Sequence, residues 1–257
     1  MPEDIRKSFH HQLEEVQKDI VRMGALVTEC IPRGTDTLLS NDLKAAQQLI
    51  EDDDVLDSLA LEIEERCYQL LALQQPMASD LRAIVTAIRL TSEIERSGDL
   101  MVNVAKAARR IYGTDYDPKL RGLIERMSEE ARRLYLLAID AYVEGDASKA
   151  AALDDMDDRL DALHKDYIQA IFESHGNGTI DVQAGVQLAL IGRYYERIGD
   201  HAVNVGERVQ YMVTGWLPEQ SGAARVEFRA AARDRLAAEG AAEGSVNGAV
   251  PAGGNDT

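Results

Sequence analysis

The chain repeats itself. Residues 95–104 read Glu-Arg-Ser-Gly-Asp-Leu-Met-Val-Asn-Val and return at 196–205 as Glu-Arg-Ile-Gly-Asp-His-Ala-Val-Asn-Val, seven of ten positions being identical at a constant offset of 101. Apart from two valines, what is kept is polar: two carboxylates, an arginine, a glycine and an amide. A chain of 257 residues that says this twice is built from two copies of one unit, and whatever the unit does is polar chemistry in duplicate.

The repeat extends upstream. At an offset of 104, Asp42, Asp53, Asp54 and Asp57 match Asp146, Asp157, Asp158 and Asp161, while Ala46, Leu49, Leu56 and Leu59 match Ala150, Leu153, Leu160 and Leu163. The change from 104 to 101 requires the second copy to be three residues shorter between the two matched regions. Length changes belong in loops, so a shorter hairpin is expected there.

Glycine and proline are sparse, and between them lie Ala-, Leu-, Glu-, Arg- and Gln-rich stretches with apolar residues at helical spacing. The pattern predicts six helices over 5–30, 41–74, 79–112, 117–145, 146–175 and 179–216. Pro32 and Gly34 are expected to end the first, and Asp117-Pro118 supplies an N-cap followed by proline at the first helical position. No segment alternates with period two, so strands are not expected. The fold expected is all-α: two pseudo-symmetric antiparallel three-helix bundles, over 1–114 and 115–217, followed by a mostly disordered Gly/Ala/Ser/Asn-rich tail over 218–257.

With 28 Lys+Arg against 45 Asp+Glu, the formal charge is −17. Such a surface repels phosphate backbones and attracts cations, so direct nucleic-acid binding is not expected. Cys30 and Cys67 form neither a CxxC pair nor a zinc-finger spacing, which fits a reducing cytoplasm. Neither a long apolar run nor a basic-then-apolar leader occurs, and a cytoplasmic location is expected.

Four helical residues turn through about 400°, so Glu95, Asp99 and Asn103 share one face, as do Glu196, Asp200 and Asn204. Upstream on the same lines lie Leu81, Val85, Ile88 and Ser92, and Val182, Val186, Ala189 and Arg193. If those lines pack against neighbouring helices, the acids are embedded where helices meet and need protonation, a cationic partner or a metal. The pairs Asp53 with Asp57 and Asp157 with Asp161 would then add two carboxylates to each half. Such all-oxygen sets suit hard or borderline metal ions: Mg, Mn, Fe or Zn. Single acid pairs in so acidic a chain are usually solvated faces, and Arg96, Arg193 and Arg197 offer salt bridges instead.

Gly98 and Gly199 each precede the aspartate, although glycine inside a helix costs about 1 kcal/mol relative to alanine. Bare backbone there admits a neighbouring helix, the twin motif or a ligand. His201 lies about 100° around the helix from the acids and reads as a packing or surface histidine. His164, three residues after Asp161, completes half of a di-iron-type Asp-x-x-His, but Ala60 stands at the matching place in the first copy. A carboxylate-bridged di-metal enzyme is therefore the alternative reading, and a non-catalytic regulator the first.

These residues resemble the PhoU family of phosphate-transport accessory proteins: two three-helix repeats, an Asp-rich second helix, the duplicated Glu-Arg-x-Gly-Asp-x-x-x-Asn string, and Gln75-Pro76-Met77-Ala78-Ser79-Asp80-Leu81-Arg82 leading into the third helix. The resemblance covers residues 1–216. It implies a dimeric, cytoplasmic, metal-binding protein associated peripherally with the membrane. It also implies negative regulation of phosphate uptake, by linking the phosphate ABC transporter and its ATPase to the sensor histidine kinase of the phosphate regulon. The family's metal motif falls on Glu95, Asp99, Glu196 and Asp200, with Asn103 and Asn204 beside them and Asp53, Asp57, Asp157 and Asp161 as co-ligands. Gly176-Asn177-Gly178-Thr179 departs from the first copy's proline-containing approach, and Arg225, Arg229, Arg233 and Arg235 lie outside the resemblance.

Overall fold

A computed structural model describes residues 2–216. The expected tail over 218–257 and its arginines lie outside the described residues. Six helices follow one another: α1 (Pro2–Ser40), α2 (Leu43–Gln74), α3 (Ser79–Arg110), α4 (Pro118–Glu144), α5 (Ala147–Gly176) and α6 (Val182–Thr214). Their ends are written locally, and written twice. Asp42 accepts from Lys44 N and Ala45 N at 2.9 and 3.0 Å, and Asp146 accepts from Ser148 N and Lys149 N at 2.8 and 3.0 Å. Each aspartate satisfies donors that the first helical turn leaves open.

α1 does not stop at Pro32 but runs through it to Ser40. The proline removes one backbone donor, a local penalty that tertiary packing overrides. Ile31, Leu38 and Leu39 are buried, and Thr35 Oγ1 lies 2.6 Å from Ser128 Oγ and 2.7 Å from the Tyr195 hydroxyl. Gly34 is a contact point, not a terminator: a Cβ there would collide with the Met101 methyl of α3.

α1, α2 and α3 pack together, as do α4, α5 and α6, and the two triplets join through α1 against α4 and α3 against α6. One continuous core cluster draws on all six helices. α2 and α5 pack chiefly on their own halves, leaving each as the outer arm of a hairpin with α3 or α6. The shortening between repeats falls on helix ends instead of the loop. α5 stops two residues short of the place matching Gln74 and α6 starts two past the place matching Ser79, while the second loop, 177–181, is one residue longer than 75–78.

Candidate functional site

The α2–α3 hairpin sets Asp53 and Asp57 opposite Glu95 and Asp99. The local reason is Gly98. A Cβ there would collide with Leu56 and come within 3.2 Å of Asp53 Oδ1, so glycine lets α2 lay a leucine and a carboxylate on bare α3 backbone. Burial, followed by repulsion from Asp57, Asp99 and Glu95, pushes the Asp53 carboxyl up to about 6. Burial and the neighbouring Asp99 also raise Asp57 and Glu95. Asp52, one residue away, is instead paired with Arg33 and bonded by Gln48, each at 2.7 Å.

The second hairpin repeats this with Asp157, Asp161 and Asp200. A Cβ at Gly199 would collide with Asp157 Oδ1 and meet Leu160 at 2.7 Å. Burial, then Asp161, Asp200, Asp154 and Asp158, push Asp157 up to about 7, and its buried Oδ1 has no hydrogen-bond partner. Burial also raises Asp200, against the opposing Arg193. Glu196 differs from its counterpart, because Arg193 forms an ion pair with it. Ser92 holds that place in the first half and brings no cation to Glu95. His164 is the other asymmetry: burial, then Arg193, lower its pKa, and its buried Nε2 has no partner.

The acids are less embedded than the sequence suggests. Asp57, Asp99 and Asp200 are exposed, and Asp53, Glu95, Asp157, Asp161 and Glu196 are half-buried. Leu81, Val182 and Val186 are also exposed, because the core is filled by the adjacent lines: Ile84, Ala87, Leu90, Ile94 and Met101 on α3, and Ala184, Leu188, Ile191, Tyr195 and Ile198 on α6. The stripe therefore forms the wall of a groove. Among the described residues, no group of three His, Cys, Asp or Glu side chains is arranged to hold a metal ion. Asn103 is half-buried one turn past Asp99, whereas the Asn204 amide donates to Glu93 Oε2 at 3.0 Å.

Glu93 is the polar residue that sequence reasoning missed. Its carboxylate, half-buried on α3, lies 2.6 Å from Nδ1 of the buried His201 on α6, and the His201 and Asn204 bonds, with Arg96 nearby, leave it more acidic than usual despite burial. The repeat gives no hint of it, since Tyr194 stands at the matching position. A charge beside buried Ile94 was the only available sign. Among the described residues no helix is long and apolar enough to cross a membrane.

The family model described as "PhoU domain" matches this chain twice, over residues 20–108 and 124–209. The chain is 36% identical over 220 residues to the phosphate-specific transport system accessory protein PhoU homolog 1 of Mycobacterium tuberculosis, covering 84% of this chain and 97% of that one. Homolog 2 of the same organism is 37% identical over 218 residues, covering 83% and 100%. Among solved structures, PhoU from Pseudomonas aeruginosa superposes with a TM-score of 0.75 at 29% identity, covering 81% of this chain and all of that one. The phosphate transport system regulatory protein PhoU from Streptococcus pneumoniae gives 0.75 at 27% identity, covering 81% and 98%.

Proposed function

The chain belongs to the PhoU family, and on that premise we propose that it is a non-catalytic accessory protein of phosphate transport, a cytoplasmic adaptor whose carboxylate clusters bind metal ions. The finer reading is that it links the phosphate ABC transporter, through its ATPase, to the sensor histidine kinase as a negative regulator, acts as a homodimer, and reaches the membrane through those partners.

The observation that carries this is the duplicated crowding of acids across each hairpin, with Asp53 pushed up to about 6 and Asp157 to about 7. Carboxylates held where they repel one another favour either a proton or a cation. The donor chemistry fits a hard metal, and the unpartnered buried Oδ1 of Asp157 is a donor in want of a partner. No three of these acids yet stand at ligand positions, so their side chains would have to turn inward: Asp53, Asp57, Glu95 and Asp99 would then hold the ion in one half, and Asp157, Asp161, Glu196 and Asp200 in the other, with Arg193 competing for Glu196. A bound cation supplies positive charge that offsets this repulsion and stiffens the hairpin. Acids on an open groove suit an adaptor better than the di-metal enzyme, which needs an enclosed site with free coordination positions.

Metal analysis of the purified chain after equilibration with Mn, Fe or Zn tests the first part. Bound metal should fall sharply in the Glu95→Ala, Glu196→Ala double variant, and unchanged content defeats the ligand assignment. Pulldown of the transporter ATPase or sensor kinase, weakened by chelator, tests the second. Failure to capture either under crosslinking defeats the adaptor role.

A further inference from the structure

The α2–α3 hairpin carries a groove that the core leaves open. On α2, Asp57, Leu61, Glu64 and Tyr68 recur at three- and four-residue spacing and share one face, as do Leu81, Val85, Ile88, Ser92 and Glu95 on α3. Midway, Asp57, Leu61, Glu64, Ser92 and Glu95 line an open groove of about 350 Å³. Toward the turn the same two rows become apolar, with Tyr68 54% and Leu81 41% exposed.

The second half repeats the apolar end at the same offsets. Phe172 stands 104 residues after Tyr68 and Val182 stands 101 after Leu81, and they are 68% and 65% exposed. Scattered surface apolar residues need no explanation, but Tyr68 and Leu81 continue the two rows that line the groove. The α2–α3 groove is thus apolar near the turn and acidic toward Asp57, Glu95 and Asp99, whereas Lys165 and Arg193 stand on α5 and α6 at the places matching Leu61 and Ser92.

That gradient selects the occupant. A second copy of this chain, formally −17, would bring acids against acids, and an anionic lipid surface would meet the same repulsion. An amphipathic helix with an apolar stripe and basic residues matches both ends of the groove. We propose that the α2–α3 groove is a docking site for one apolar-and-basic amphipathic helix of a partner protein. The proposal deepens the adaptor reading, and rests on it for the partner being part of the phosphate-transport machinery.

The test is calorimetric titration of the full chain, in chelator-treated buffer, with a helical leucine–lysine peptide of about five turns and a scrambled peptide of equal composition. One peptide should bind per chain, with the scrambled one at least tenfold weaker. The Tyr68→Glu, Leu81→Glu variant should lose this binding and the Phe172→Glu, Val182→Glu variant should keep it. A helical circular-dichroism spectrum and a thermal midpoint near the wild type show that the first variant is folded. Equal binding of the scrambled peptide, or unchanged binding by the folded Tyr68→Glu, Leu81→Glu variant, overturns the proposal. So does conversion of a dimer to monomers by that variant in sedimentation, which assigns the face to self-association, or its loss of binding to phosphatidylserine vesicles, which assigns it to membrane. Because the titration is metal-free, failed metal analysis leaves it standing, and failed peptide binding leaves the metal reading standing.

Discussion

The backbone of Gly199 on α6 is pressed so closely by the Asp157 carboxylate of α5 that a β-carbon would collide with it. Gly98 and Asp53 stand in the same relation one repeat earlier, at 3.2 Å from the ideal Cβ position. The glycine of the duplicated string therefore serves the aspartate of the neighbouring helix. Two helical propensity penalties are accepted so that two carboxylates can be held close to other acids.

Gly199→Ala is accordingly expected to destabilise, although alanine is the better helix former. Overpacking of about 1–3 kcal/mol outweighs the gain of about 1 kcal/mol in propensity. Gly122 on α4 is the control, because a Cβ there meets nothing within 4 Å. Gly122→Ala should raise the denaturant midpoint and Gly199→Ala lower it. Equal shifts in one direction would show that the Asp157 contact yields without strain.

Stability should fall as pH rises through the range in which Asp157 ionises. Its folded pKa, about 7, lies above that of an unfolded aspartate, so the folded state holds the proton more tightly. The contribution is complete below about pH 4 and is lost progressively up to about pH 7. Because Asp157 is only half-buried, solvent screening reduces it to about 1–2 kcal/mol. The difference in unfolding free energy between the wild type and Asp157→Asn, measured from pH 4 to 8, should therefore grow in favour of the variant. A pH-independent difference would mean that Asp157 does not titrate in this range.

What was legible in the sequence follows from what the repeat preserves. The expected Asp117 cap accepts from Leu120 N, three residues away, at 2.9 Å, so local sequence suffices, and the duplication supplied the six-helix frame. The acids were legible as a set, because helical spacing puts them on one face. Their exposure was not, because two adjacent apolar lines run along α3 and only packing decides that Ile84 and Ile94 are buried while Leu81 is not. Pro32 misled because a local breaker says nothing of the contacts that hold Thr35 and Leu38 beyond it. Glu93 with His201 escaped notice because it joins the two repeats through residues that the repeat does not share.

That junction should be energetically coupled. Glu93 accepts from Asn204 and lies 2.6 Å from Nδ1 of the buried His201, so removing the carboxylate strands two polar groups between α3 and α6. Glu93→Ala should cost about 1.5–3 kcal/mol, the usual range for hydrogen bonds to a charged group. In a double-mutant cycle with His201→Ala the two effects should be non-additive by at least about 0.5 kcal/mol. Strict additivity in urea unfolding would show that the pair is a bystander to the packing of α3 on α6.

Pro32→Ala should stabilise the chain. The proline sits inside α1, where it supplies no amide to the carbonyl four residues back, that of Thr28, while the flanking helix is already held by Ile31, Thr35 and Leu38. Alanine restores the bond and relieves the ring's clash with the preceding turn, worth up to about 3 kcal/mol in an unconstrained helix. The gain should be smaller here, about 1–2 kcal/mol, because proline also restricts the unfolded chain, an advantage the substitution gives up. Thermal unfolding of the two proteins decides it. An unchanged or lowered midpoint would mean that the packing of α1 against α3 and α4 is shaped around the proline.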